Sequence, residues 1–168
     1  MIVIRKIREN DAEKFLALCQ RLDQETQFML LEPGERIITI EEQRERIKSI
    51  LSRDNQTILV AENHQGQMAG HLTAIGGSYN RNRQTVYIVI GILQAFAGQG
   101  IGTQLFTQME EWARAHAIHR LELTVMVHNE RALKLYQKMG FEIEGVKKHN
   151  LWVNNMYVDE YEMAKLLA

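Results

Sequence analysis

A nearly uninterrupted apolar run, Thr85 to Leu93, is followed by a glycine-dense turn, Phe96-Ala-Gly-Gln-Gly-Ile-Gly-Thr103, and then by an amphipathic pattern from Ile101 to Ala115. This sequence of strand, turn and helix limits the chain more than any other feature. A continuous apolar run suits a central strand covered on both faces. A helix that starts on a glycine turn leaves backbone N–H groups unpaired, at the positive end of its dipole. Gly98, Gly100 and Gly102 lack Cβ, so positive φ costs little and a ligand can approach the main chain. Such a place suits a phosphate or pyrophosphate. The glycines alone also fit a tight turn with no ligand.

The rest of the chain supplies partners for that strand and helix. Ile2 to Ile7 reads as a strand. Asn10 followed by Glu13 reads as a capped helix start, with Phe15, Leu16, Leu18, Cys19 and Leu22 at helical spacing and an end near Asp23. Gln24 to Ile38 is a loop with Phe28, Met29, Leu30 and Leu31, then Pro33-Gly34. Thr39 with Glu42 forms a second capping box, ahead of a helix carrying Ile40, Ile47, Ile50 and Leu51 and a solvated charged face. Thr57–Glu62 and Gln67–Ile75 form a hairpin about Asn63–Gly66, and Gly76–Arg83 is a polar loop. Leu121–Val127 alternates as a strand. Asn129 caps a short helix, Glu130 to Met139, and Gly140 stands where a helix end favours left-handed backbone. Phe141–Val146 and Met156–Met163 close the order β-α-α-β-β-β-α-β-α-β-β. The expected fold is α/β, one mixed sheet of about seven strands with helices on both faces, forming one domain over residues 1–168.

Composition narrows the function classes. The net charge of −1 gives no general attraction to nucleic acid or an anionic membrane. No uncharged run reaches the length of a transmembrane helix, and no signal-peptide core follows the start, so the expected location is cytoplasmic. Cys19 is the one cysteine, which rules out an intrachain disulfide, and it reads as a buried filler. No His/Cys/Asp/Glu spacing reads as a metal site. A nucleoside-triphosphate or dinucleotide binder fails on detail, since there is no G-x-x-x-x-G-K-[ST] and no acidic ribose contact follows the turn.

Two segments carry a family resemblance. Gln94-Ala-Phe-Ala-Gly-Gln-Gly-Ile-Gly-Thr-Gln-Leu-Phe106 resembles the acyl-CoA-binding segment of the GCN5-related N-acetyltransferases (GNAT). Asn129-Glu-Arg-Ala-Leu-Lys-Leu-Tyr-Gln-Lys-Met-Gly-Phe141 resembles that family's N-x-x-A-x-x-L-Y-x-x-x-G-F segment. The element order matches as well, over essentially the whole chain, and the closing strand resembles that of bacterial members. The resemblance implies direct acetyl transfer from acetyl-CoA, as co-substrate, to a primary amine of a small molecule or a protein, without a metal. It implies that the pantetheine arm pairs with the strand edge at Ile92, Leu93 and Gln94, provided that strand splays from the one starting at Leu121. A main-chain N–H near Ile92 or Leu93 would meet the thioester carbonyl. Gln99, Gly100, Ile101, Gly102, Thr103 and Gln104 would cradle the pyrophosphate. Asn129 would cap its helix and contact the co-substrate, and Tyr136 would bind near the sulfur and protonate the leaving thiolate. Gly91 beside this point suggests a bulge or a close approach.

Ala97 departs from the pattern, standing where the family has Arg or Gln; its expected contribution is a main-chain N–H. The family's two glutamate positions hold Tyr87 and Thr124. Glu122, His71, Tyr79, His128 and Glu25 are the remaining candidates for a base, beside a water chain, whereas His116 and His119 flank a helix end. A second reading is therefore a catalytically weak or inactive acyl-CoA-binding sensor. Gln24–Ile38, Gly76–Arg83 and Lys147–Asn155 are expected to rim the acceptor side. There Glu25, Glu32 and Glu35 would favour a cationic amine, and Arg81, Arg83, Lys147 and Lys148 an acidic group. An exposed last strand would serve a homodimer.

Overall fold

The computed structural model describes residues 1–168. In chain order the elements are β1 (Ile2–Lys6), α1 (Ala12–Glu25), α2 (Ile40–Leu51), β2 (Gln56–Asn63), β3 (Met68–Gly76), β4 (Thr85–Ile92), α3 (Ile101–Ala115), β5 (Arg120–Met126), α4 (Glu130–Lys138), β6 (Glu142–Val153) and β7 (Met156–Leu166). They form one seven-stranded mixed sheet in the order β1-β2-β3-β4-β5-β7-β6. Only the β4–β5 pair is parallel. A parallel neighbour needs a crossover, and here α3 supplies it. No helix is long and apolar enough to cross a membrane.

Alternating side chains send the two faces of the sheet into separate cores. On one face Phe15, Cys19 and Leu22 of α1 and Ile47 and Ile50 of α2 pack on Ile58 and Val60. On the other, Leu105, Phe106 and Met109 of α3 pack on Leu72, Val86, Ile88 and Leu121, joined by Tyr136 and Phe141. The helices therefore cover both faces, as the element order implies. Burial pushes the Cys19 thiol up to about 11, which suits a filler and not a nucleophile.

Four sequence expectations are corrected. β4 is not covered on both faces: Tyr87 and Val89 are 41% and 39% exposed, because no helix lies over that part of the sheet. Asn10 does not cap α1. Residues Glu9–Asp11 form a 3-10 turn first, and the Asp11 carboxylate accepts from the Arg8 N–H at 2.8 Å. Of the two readings of Gly91, the bulge is overturned, since β3 and β4 stay in register throughout, and the close approach holds: a Cβ there would stand 2.7 Å from a methyl of Leu22, so the glycine admits α1. The last strand is not at the edge: β7 is paired on both sides, and the edge is the longer β6.

The Thr39–Glu42 capping box is present in both directions, at 3.0 and 3.2 Å. α1 is tied to β1 by Arg5, whose guanidinium donates twice to Asp11 (2.8 and 2.9 Å) and once to Glu62 (2.7 Å). That guanidinium holds the Asp11 carboxyl below the ordinary carboxylate range. A folded-state pKa below the unfolded one contributes stability above the unfolded value, near 4, and loses it as pH falls through the folded value. Asp11→Asn is expected to cost about 2 kcal/mol at neutral pH, as the loss of charged hydrogen bonds does. It should also flatten the acid limb of stability below about pH 4. Urea unfolding of both proteins from pH 2 to 7 measures this; parallel acid limbs would show that Asp11 carries none of it.

Candidate active site

The parallel pairing of β4 and β5 covers three residue pairs, Thr85–Arg120, Val86–Leu121 and Tyr87–Glu122, although β4 runs on to Ile92 and β5 to Met126. Beyond Tyr87 the strands part and leave a fork in the middle of the sheet. The Leu93 N–H donates to the Ala69 carbonyl at 2.8 Å. Alternation along this antiparallel ladder turns the N–H and C=O of Ile90 and Ile92 away from β3, into the fork. Leu93 is different. Its N–H is spent in the sheet, its carbonyl accepts from Phe96, and its side chain is buried in the core under α1. The expected free N–H of the Ile92–Leu93 pair therefore belongs to Ile92. The Gln94 N–H is also engaged, donating to a Glu25 carboxylate oxygen at 2.9 Å.

The glycine turn follows at the open end of the fork. From Gly98 to Thr103 no backbone N–H donates to any acceptor in the protein; the first donor after them is Gln104, to the Gly100 carbonyl at 3.1 Å. Six consecutive free donors at the start of a fifteen-residue helix with no acidic residue in its first turn form an anion cradle. Gly100 has φ +77°, and a Cβ on it would meet nothing within 4 Å, so left-handed backbone and not crowding demands glycine there. Gly102 is the reverse case: a Cβ would stand 2.7 Å from a Leu135 methyl. It lets α4 pack on the first turn of α3. Ala97 does not supply the expected main-chain N–H, because that group donates to the Gln94 carbonyl at 3.1 Å.

α4 closes the other wall of the fork. Asn129 caps it, its side-chain oxygen accepting from the Ala132 N–H at 3.3 Å. The Tyr136 ring packs edge-on to Phe106 at 5.8 Å and beside Phe141. Burial, with a smaller contribution from Tyr87, pushes its phenol well above the usual value, so it is protonated throughout the neutral range.

The candidates for a base are dispersed. Tyr87 and Thr124 bridge the closed end of the fork, with their hydroxyls 2.9 Å apart. Glu122 is held by Arg120 at 3.0 Å, and Glu25 by Arg21 at 3.1 Å as well as by Gln94. His71 is buried beside Thr73 (3.1 Å) and pushed down to about 4 by burial; its Nε2 has no partner. His128 packs on Phe28 at the loop. Tyr79 lies in the β3–β4 loop, at the end of β4 opposite the glycine turn. The His116 ring stacks on Trp112 and its Nδ1 meets the Trp112 carbonyl at 2.8 Å, at the end of α3.

A cavity of about 730 Å³ opens beside the fork, between residues 23–35, Met126 at the end of β5, and Leu151–Asn155 at the β6–β7 turn. Two of the three segments expected at the rim are here. The third, Gly76–Arg83, is not: Asn55 holds its Gly77 and Arg83 carbonyls and Asp54 pairs with Arg83, where β4 and β5 are joined. Asp23, Glu25, Glu32 and Glu35 line the cavity and no lysine or arginine does. Arg36 grips the buried Asp23 with two bonds, 2.7 and 3.0 Å, and fastens the loop to α1. Sequence reading missed Met126 as a lining residue, since only the tertiary meeting of β5 with the β6–β7 turn places it.

Comparison with known proteins agrees with this geometry. The acetyltransferase (GNAT) family model matches residues 15–141. The L-amino acid N-acetyltransferase AaaT of Escherichia coli is 36% identical over 105 residues, 60% of this chain and 63% of that protein. The uncharacterized N-acetyltransferase YdgE of Bacillus subtilis is 32% identical over 51% of this chain and 54% of its own length, so these matches span less than two thirds of either relative. A crystal structure described as an acetyltransferase of the GNAT family from Streptococcus pneumoniae superposes with a TM-score of 0.95 at 32% identity, covering both chains completely. The structure of yncA from Salmonella typhimurium, solved with acetyl-CoA, shares the fold at a TM-score of 0.88 and 17% identity. With its forked sheet, its glycine turn and a family match over most of its length, the chain belongs to the GNAT acetyltransferase family.

Proposed function

We propose that the chain transfers an acetyl group from acetyl-CoA to the primary amine of a small molecule, with a protein amine as the other acceptor class its family admits. One observation carries the reading: an unpaired strand edge in the fork runs directly into six free N–H groups at the start of α3. An amide-bearing arm that ends in a pyrophosphate is the ligand that such an edge and such a cradle would share. Acetyl-CoA supplies an activated acyl group as a thioester. Ile90 and Ile92 would hold the arm by main-chain bonds, and residues 98–103 the pyrophosphate.

As an amine adds to a thioester carbonyl, the oxygen gains negative charge. The Ile92 N–H, held in the fork by the β3–β4 register, would receive it without reorganisation. The bond to sulfur then breaks, and Tyr136 offers a hydrogen bond to the departing thiolate. Its raised pKa makes full proton transfer uphill, so it stabilises the sulfur as a donor, and the proton lost from the new amide nitrogen balances the thiol. The acceptor arrives as an ammonium and must first lose a proton. Of the candidate bases, Glu122 is held by Arg120, Glu25 by Arg21 and the Gln94 N–H, and the Tyr87 and Thr124 hydroxyls bond to each other. Deprotonation by solvent is the reading these contacts favour. The same two hydroxyls favour the second reading, a binding protein of this fold with little turnover.

The cavity supports the small-molecule acceptor. Its volume suits such a ligand, and its carboxylates and apolar side chains suit a cationic amine with an apolar body. AaaT is named for L-amino acids; here no lining lysine or arginine answers an acceptor carboxylate.

Three outcomes test the proposal. Calorimetric titration with acetyl-CoA, followed by a thiol-release assay over amines, amino acids and N-terminal peptides, should show binding, with turnover highest on amines that lack a carboxylate. Tight binding without turnover on any acceptor would establish the sensor instead. Tyr136→Phe should lower kcat by roughly 10- to 100-fold, the worth of one hydrogen bond to a charged group, and leave the acetyl-CoA Kd nearly intact. A large loss of affinity with normal turnover would remove Tyr136 from the chemistry. Gly100→Val should abolish acetyl-CoA binding, because it strains the left-handed backbone and fills the open approach; unchanged binding would make the turn structural only.

A further inference from the structure

Ala97 leaves the cradle short of a side chain and of an N–H, yet a guanidinium stands beside it from another element. Arg131, in the first turn of α4, has a terminal nitrogen 3.7 Å from where a Cβ on Gly98 would be. Its side chain is exposed and makes no hydrogen bond or ion pair in the protein. Lys138, from the last turn of α4, reaches the Thr103 hydroxyl at 3.3 Å. Two cations are thus brought to the positive end of α3, which has no acidic residue in its first turn. Cations at that end of a helix are unfavourable unless an anion lies between them. The packing that holds them there is specific: Leu135 fits against Gly102 and Asn129 caps α4.

Resting on the acetyl-CoA reading, we propose that Arg131 pairs with the pyrophosphate of the bound co-substrate and replaces, from α4, the side chain that Ala97 lacks. The guanidinium is planar and permanently charged, so it can give two parallel bonds to phosphate oxygens. α4 then carries two duties toward one ligand, Tyr136 at the sulfur and Arg131 at the phosphates.

The test is calorimetric binding of acetyl-CoA, 3′-dephospho-acetyl-CoA and S-acetylpantetheine to the wild type, Arg131→Ala, Arg131→Lys and the double variant Ala97→Arg/Arg131→Ala. Arg131→Ala should raise the Kd of the first two ligands about tenfold, in the range of one charge-assisted phosphate contact, and leave S-acetylpantetheine unaffected. Arg131→Lys should recover part of the loss. The double variant should recover most of it, since the guanidinium returns at the family's usual position. An unchanged acetyl-CoA Kd overturns the proposal. So does an equal loss with S-acetylpantetheine, which would mean that α4 had shifted. A loss confined to the ligand with the 3′-phosphate overturns the pyrophosphate assignment. A wild type that binds none of the three overturns the co-substrate reading and this proposal together, whereas failure of Arg131 alone leaves that reading standing.

Discussion

The parting of β4 from β5 is the constraint on which the rest of the molecule depends. Buried backbone N–H and C=O groups are almost always paired, and a sheet normally pairs them with the next strand. Here pairing stops after Tyr87, and the free groups of Ile90 and Ile92 are left in the middle of the sheet and not at its rim. The strands do not close again because both are held from outside. β4 is fixed in register to β3 along its whole length, and β5 is fixed to β7 from Arg120 to Met126. The Tyr87–Thr124 bridge marks the point of divergence.

Each core supports one side of that opening. α1 approaches so closely that β4 needs glycine at position 91 to admit Leu22, and this contact sets the floor beneath the fork. On the opposite face, Phe106, Tyr136 and Phe141 lock α4 against α3. Gly102 permits the same approach from the backbone side. The glycines of the turn thus divide the work: position 100 sets the conformation, and position 102 sets the distance between two helices.

Much of this was legible in the sequence. The order of eleven strands and helices follows from periodicity, and the limits of α3 fall where the apolar pattern places them. The N-x-x-A-x-x-L-Y-x-x-x-G-F segment identifies α4 and gives Asn129 its cap. Local signals failed where a residue's partner is distant in the chain. Nothing near Ala97 reveals that its N–H turns back to Gln94, and nothing near Arg131 says that it ends beside Gly98. Glycine at 91 reads as a bulge or a close approach, and only the tertiary packing shows that α1 is what approaches. The β3–β4 loop reads as a rim because it is polar, and the sheet order alone sends it to the other end.

The Glu25–Gln94 bond joins two regions that would otherwise be independent. Glu25 is the last residue of α1 and lines the cavity beside the fork, while Gln94 lies two residues past the end of β4, whose edge is proposed for the co-substrate. One carboxylate therefore belongs to both compartments. Whatever neutralises or draws it away on one side releases an N–H on the other. With acceptor and acetyl-CoA bound as proposed, occupancy of the two compartments would be linked, and the linkage would run equally in both directions, as any coupling free energy must. Acceptor preference would then not be a property of the cavity alone; it would include the state of the strand behind it.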